Sequence, residues 1–280
     1  MSELMAGKLN WLEHHLPEGL LVDASWLAKH NYSTALRHRY VKSGWLQQPA
    51  RQVYTRSRGP LSWQQVVISL QNLLQLPLVV GGRTALELHG FTHYLSHRTL
   101  EVHLYGTKAP PEWLNKLPIE THFRYHNIQK LFSNEPVTIG LGSLEWDVVR
   151  QQVASTDTAS FEVQSWGQSN WPLTLSSPER AVLELLAELP DHESFHQVDK
   201  LMEGMGSLRP RRLQKLLVDC KSVKVKRLFF FFSDRHHHAW LKYLEKDKID
   251  LGKGKRVLAK GGKFDSAYQI TVPEDLDGIL

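Results

Sequence analysis

DASWLAKHNYSTALRHRYVKSGWLQQPARQVYTR, residues 23–56, carries the signals of a helix, a turn, a second helix and a short hairpin in immediate succession. Asp23 places a side-chain oxygen ahead of Trp26 and Leu27, where the free amides of a helix start need acceptors, so a short helix is predicted over residues 24–29. Asn31 marks the turn. A second helix starts at Tyr32 or Ser33 and stops at Gly44, because glycine enters the left-handed terminal conformation without a Cβ clash. Each helical residue rotates by about 100°, which sets Leu36 and Tyr40 on one face, Thr34 and His38 opposite, and Arg37 and Lys42 on the flanks. Two short apolar runs, Trp45 with Leu46 and Val53 with Tyr54, bracket residues 47–52 as a hairpin with a basic tip. This is the order of a winged helix-turn-helix.

In such a unit the outward residues of the second helix reach base edges in the major groove while the wing holds phosphates. Arg37 is the candidate base reader, since its planar fork can donate twice to one guanine edge. Ser33, Thr34, His38 and Lys42 complete the helical part of the predicted DNA surface. Arg51, Gln52, Arg56 and Arg58 supply the wing and its flank. The competing reading is a winged domain used for protein contacts, with a basic face that is merely solvated. Residues 1–60 hold eight Lys or Arg against four Asp or Glu, a net of +4 that favours a phosphate partner.

A chain of 280 residues, 41% hydrophobic and 22% charged, has the size and composition of two or three folded domains rather than of a disordered segment. A single cysteine, Cys220, excludes an intramolecular disulfide and a cysteine-based zinc cluster, and fits a reducing cytoplasm. Cys220 itself is read as a helix residue rather than a nucleophile. The first 22 residues carry Glu3 where a signal peptide needs positive charge, and no apolar run approaches the roughly 20 residues that span a bilayer. Neither export nor membrane insertion is expected. Leu9, Leu12 and Leu16 predict a first helix over residues 7–16.

The predicted architecture is α+β: residues 1–60 as the winged domain, then 61–280 as a second part, divided into a mixed sheet over 61–175 and a basic helical region over 176–280 that ends in a hairpin. Gly59 and Pro60 form the linker. Val66, Val67, Leu70, Leu73 and Leu74 open the second part as a helix, and the apolar run 76–80 followed by Gly81 and Gly82 reads as a strand entering the helix that begins at Arg83.

A strand, two glycines and a helix resemble the entry to the nucleotidyltransferase fold. The next strand, residues 99–105, carries Glu101 without the Asp-x-Asp pair that two metal ions require. Leu100, Val102 and Leu104 are expected to face the core, with Thr99, Glu101 and His103 on the other side. Glu145 and Asp147 are the remaining acidic candidates, so a metal-dependent nucleotidyltransferase stands as the alternative enzyme reading.

Ser176 or Ser177 with Pro178 predicts a capped helix start, with a stripe of Ala181, Val182, Leu185, Leu186 and Leu189. A basic amphipathic helix follows near residues 209–218. Phe229 to Phe232 is compatible with a buried strand or a buried helix. His236, His237 and His238 are consecutive and cannot converge on one ion, so no metal site is assigned. Residues 255–259 and 268–272 are read as the two strands of the terminal hairpin around Gly261 and Gly262. Residues 207–263 carry 17 basic and five acidic side chains, a net of +12, and Arg211, Arg212, Lys215, Lys224, Lys226 and Arg227 are chosen from them as a candidate functional face.

Four segments in this order, ALRHRYVKSGWLQQPARQVYTR, GGRTALELHG with TLEVHLYG, SSPERAVLELL, and IDLGKGKRVLAKGGKFDSAYQITVP, resemble the AbiEi family, antitoxins of bacterial type IV abortive-infection toxin-antitoxin systems. The resemblance covers nearly the whole chain. It implies an N-terminal domain that binds operator DNA of its own operon as an autorepressor, and a C-terminal domain that counteracts a partner toxin, itself a nucleotidyltransferase, in phage defence. Under that resemblance the six basic residues above become the expected antitoxin face. No catalytic residue, cofactor or metal is expected. Family wings often carry Arg-Gly before the aliphatic-aromatic pair, whereas here Arg51 is followed by Gln52.

Overall fold

Leu12 on the first helix, α1 (Ser2–His15), and Leu16 just after it are fully buried in the core that also holds the residues of a three-stranded sheet. The computed structural model describes residues 2–56, 59–91, 100–134 and 160–277. After α1 the chain forms β1 (Leu21–Asp23), α2 (Ala24–Lys29), α3 (Thr34–Lys42), β2 (Gln47–Ala50) and β3 (Val53–Thr55). Asp23 starts α2 as the sequence indicates, accepting from the Trp26 amide at 2.7 Å. Asn31 turns the chain with φ +65°, and Ser33 caps α3 through the Leu36 amide at 3.3 Å. Gly44 ends that helix with φ +77°.

β2 and β3 make the expected hairpin, but β1 joins it, giving the antiparallel order β1-β3-β2. Three residues, Leu-Val-Asp, are too few to show a strand period, so this third strand had no sequence signal.

Ser62 and Gln65 form a reciprocal capping box for α4 (Trp63–Ile68), which runs on into a π-helical turn over Ser69–Leu73. The π turn presents Gln71 to the sheet. Its buried amide donates to the carbonyls of Leu78 and Thr174, both at 2.9 Å, and accepts from the Thr174 amide, binding two strands together.

The central sheet contains β4 (Leu78–Val80), β5 (Glu101–Gly106), β6 (His122–Asn127), β7 (Phe161–Trp166) and β8 (Trp171–Ser176) in the order β6-β5-β4-β8-β7. β5 with β6 and β4 with β8 are parallel; the other pairs are antiparallel. Helix α5 (Gly82–Leu88) follows β4 directly.

Val102 and Leu104 are fully buried as expected, but Leu100 is 64% exposed and lies just before the strand. His103 and Tyr105 on the other face are buried too, because helices cover the sheet there. Glu145, Asp147 and Thr99 lie outside the described residues.

The second half packs α6 (Pro178–Ala187), α7 (Phe195–Glu203), α8 (Pro210–Asp219) and α9 (Val223–Arg235) against this sheet. Ser177 occupies the cap position of α6 without a side-chain cap bond, and Ser176 donates instead to Glu184 at 3.0 Å. The four phenylalanines are helical. Phe229, Phe230 and Phe232 are buried and Phe231 partly so, packed near Phe195, Trp240 and Tyr268, so this one turn of the helix is buried on nearly all sides.

Cys220 ends α8 and is bridged to Phe132 rather than lying inside the helix. Burial pushes its thiol up to about 11.

The chain terminates in a small sheet of β9 (Arg256–Val257), β10 (Lys263–Asp265) and β11 (Ile270–Val272). The expected pairing is corrected here: the segments read as hairpin partners, β9 and β11, run parallel, and the hairpin is β10 with β11 across residues 266–269.

Candidate nucleic-acid interface

Thr34, Ala35, His38, Arg39 and Lys42 are exposed on one side of α3, while Leu36, Tyr40 and Val41 turn inward. Arg37 does not belong to the exposed side. It is only 9% exposed, donates to the Ala24 carbonyl at 3.1 Å and to the Thr34 hydroxyl at 2.8 Å, and lies 5.8 Å from the Tyr54 ring centroid. It ties the start of α2 to α3 and to Tyr54 on β3, and so is not the exposed base reader expected from the sequence. Arg39, which the sequence reading passed over, is the exposed arginine. The helical wheel contains that signal: Arg37 lies about 60° from Tyr40 on the buried side, whereas Arg39 lies about 60° from Lys42.

The tip of the β2-β3 hairpin is Arg51 and Gln52, both exposed. Gln52 has φ +64°, the left-handed region glycine would enter freely, and its carbonyl accepts from the Ala24 amide at 2.8 Å. Arg51 is held outward by that turn. Arg56 is corrected: it donates to the carbonyls of Glu13 and Leu16, both at 2.9 Å, and pairs with Glu13 at 3.5 Å, closing the end of α1 instead of offering a free charge. Arg58 lies outside the described residues. Trp45, 47% exposed, stands between α3 and the β2-β3 hairpin.

The six residues chosen from the C-terminal basic region do not form one face. Arg212 is 1% exposed and bonds Glu162 and Glu179, each at 2.9 Å. Arg227, 3% exposed, donates to the carbonyls of Leu251, Gly254 and Gln269 and organises the terminal sheet. Lys226 is 5% exposed. Lys224 donates to the carbonyls of Ala187 and Leu189 at the end of α6, and burial lowers its pKa. Only Arg211 and Lys215 are exposed. Cations that cap carbonyls are part of the packing, and charge counting along the chain cannot separate them from solvated ones.

At the Gly81-Gly82 turn a carboxylate from within the chain occupies the position beside the backbone amide. Glu184 accepts from the Gly82 amide at 2.9 Å, from Arg180 at 2.9 Å and from Ser176 at 3.0 Å. Burial raises its pKa, against the pull of Arg180 and those donors. A Cβ on Gly81 would lie 2.3 Å from Glu184 and 2.4 Å from Tyr105, which is the physical reason for glycine there. Arg180 is itself sandwiched between Phe132 and Phe161, 4.4 Å from each ring centroid. Glu101 is forked by Arg124 at 2.9 and 3.0 Å, and burial notwithstanding, Arg124 and His103 hold its carboxyl below the usual range.

Comparison with known proteins defines the class first. Residues 5–97 match the family described as "Transcriptional regulator, AbiEi antitoxin N-terminal domain", and residues 99–273 match "Transcriptional regulator, AbiEi antitoxin, Type IV TA system". The protein is thus of the regulatory antitoxin class. It belongs to the AbiEi antitoxin family of type IV toxin-antitoxin systems. Nothing among the curated proteins matches it. Among solved structures it is similar to the RV2827C protein from Mycobacterium tuberculosis, at 12% identity and a TM-score of 0.54, over 95% of this chain and 89% of that one. At that identity the likeness concerns the fold alone. Among the described residues, no helix is long and apolar enough to cross a membrane.

Proposed function

We propose that residues 1–56 are a winged helix-turn-helix that binds the operator of the chain's own operon, and that the remainder neutralises a nucleotidyltransferase toxin. The observation that carries the DNA part is the exposed side of α3, with Thr34, His38, Arg39 and Lys42 solvent-facing beside a wing that ends in Arg51. In this reading α3 enters the major groove, His38 and Arg39 reach base edges, and Lys42 and Arg51 hold phosphates. Ser33 positions the helix start rather than reading sequence. The order α1-β1-α2-α3-β2-β3 and the antiparallel wing support it.

The second part is read as a scaffold resembling a nucleotidyltransferase without its reaction. The strand-Gly-Gly-helix segment is present, yet the Gly82 amide is already taken by Glu184, and Glu101 is neutralised by Arg124. A nucleotide phosphate would have to displace a buried carboxylate that has three donors. Antitoxicity then rests on binding or on opposing the toxin's effect, not on catalysis, and Arg211 and Lys215 are the two of the chosen basic residues still placed to meet a partner. The test is a gel-shift competition at a fixed salt concentration between DNA upstream of the gene and random DNA. A preference of at least about 1,000-fold for the upstream DNA is expected, and equal affinity for both removes the operator reading.

A further inference from the structure

His103 on β5, His126 on β6 and Glu188, just past the end of α6, meet in a half-closed site on the central sheet that the DNA-binding surface does not use. A ring nitrogen of each histidine and an oxygen of Glu188 lie within 4.8 Å of one another. The contacts run in a line. Glu101 Oε1 is 3.1 Å from His103 Nε2, His103 Nδ1 is 3.0 Å from His126 Nε2, and His126 Nδ1 is 3.1 Å from Glu188 Oε1.

A proton count exposes what this line lacks. Each ionised carboxylate can only accept, so Glu101 requires a hydrogen on His103 Nε2 and Glu188 requires one on His126 Nδ1. Two neutral imidazoles carry just those two hydrogens. The inner nitrogens, His103 Nδ1 and His126 Nε2, then face each other as two lone pairs 3.0 Å apart in a largely buried place. Such an arrangement is repulsive unless a cation lies at the junction.

We propose that this cluster binds one divalent transition-metal ion of the zinc class, with His103 Nδ1 and His126 Nε2 as nitrogen ligands and Glu188 swinging in as the oxygen ligand. Histidine ligands characteristically donate their other ring hydrogen to a carboxylate, and Glu101, itself fixed by Arg124, already holds His103 in that way. Two nitrogens bound to zinc at about 2.0–2.1 Å stand about 3.3 Å apart in tetrahedral geometry, so the pair must open by only a few tenths of an ångström. Glu188 moves furthest, giving up its His126 contact. Glu188 lies beyond the last turn of α6, with its side chain 11% exposed. Three protein ligands leave a fourth position for water or a partner's side chain.

The experiment uses the untagged full chain, stripped with chelator and dialysed, then titrated with Co2+ as the spectroscopic probe and with Zn2+ in calorimetry. One equivalent of Co2+ with ligand-field absorption of a low-coordinate nitrogen-oxygen site is expected, displaced by Zn2+. His103→Gln and His126→Gln should each weaken binding by at least about 10-fold, and Glu188→Gln by about 10-fold, while His237→Gln, the exposed member of the histidine run, should change nothing. Glu188→Gln, a near-isosteric change just past the end of α6, decides the matter should either histidine variant fail to fold. Absence of a stoichiometric site in the wild-type chain, or binding lost in His237→Gln and retained in Glu188→Gln, overturns the proposal and leaves a shared proton as the charge between the two rings.

Discussion

Arg37 donates to the Ala24 carbonyl and to Thr34 while lying over Tyr54, so three elements lose a common partner when it is removed. Arg37→Ala is expected to lower stability by about 2 kcal/mol in urea denaturation, since a charged donor is removed and its acceptors on Ala24 and Thr34 are left without it. Any weakening of DNA binding should be uniform across sequences, and a change of preference at one base position would restore Arg37 as a reader. Gln52 argues in the opposite direction. A non-glycine residue at φ +64° is strained by roughly 1–2 kcal/mol, so Gln52→Gly, which keeps the carbonyl bond to Ala24, should raise stability by about 0.5–1 kcal/mol. The urea midpoint checks it, and a fall would mean that the Gln52 side chain itself holds the wing tip.

Some helix starts were legible because they depend on a few adjacent residues: Asp23 and Ser33 start helices where their side chains indicate, whereas Ser177 makes no side-chain cap bond and the Ser62-Gln65 box emerged only from the structure. What was not legible depended on distant partners. Whether Arg212 faces water is decided by Glu162 and Glu179, 50 and 33 positions away, and whether β9 pairs with β11 in parallel is decided by a sheet only three residues deep. The inward turn of Arg37 was readable from the wheel in principle, but a rule that arginine faces solvent outweighed it. The same distinction divides the basic helix α8. Arg212→Ala strips one side of a buried ion pair and should cost about 3–5 kcal/mol, whereas Arg211→Ala, one residue earlier and exposed, should stay within about 0.5 kcal/mol. Thermal melts of the two variants measure the difference, and equal melting temperatures would contradict the burial of Arg212.

At the scale of the whole molecule, the first 56 residues share one apolar core with the rest, and the Leu21 amide donates to Ser69 at 2.9 Å across the junction. Gly19 presses so closely on Gln65 that a Cβ there would stand 2.5 Å from its amide nitrogen. A cut at Gly59 and Pro60 therefore uncovers part of the core as well as removing the proposed DNA surface, and a failed truncation would confuse loss of function with loss of fold. Surface substitution in the full chain separates the proposed activities more cleanly. Arg39→Ala, Lys42→Ala and Arg51→Ala remove three exposed charges that take no part in the core, so the triple variant should fold with unchanged urea midpoint. Its promoter affinity should fall, and the slope of log affinity against log salt should flatten by about 0.9 for each phosphate no longer neutralised. Rescue of cells from the cognate toxin should persist, because the second half is untouched. Loss of rescue in a normally folded triple variant would show that the DNA-facing surface also serves the antitoxin role.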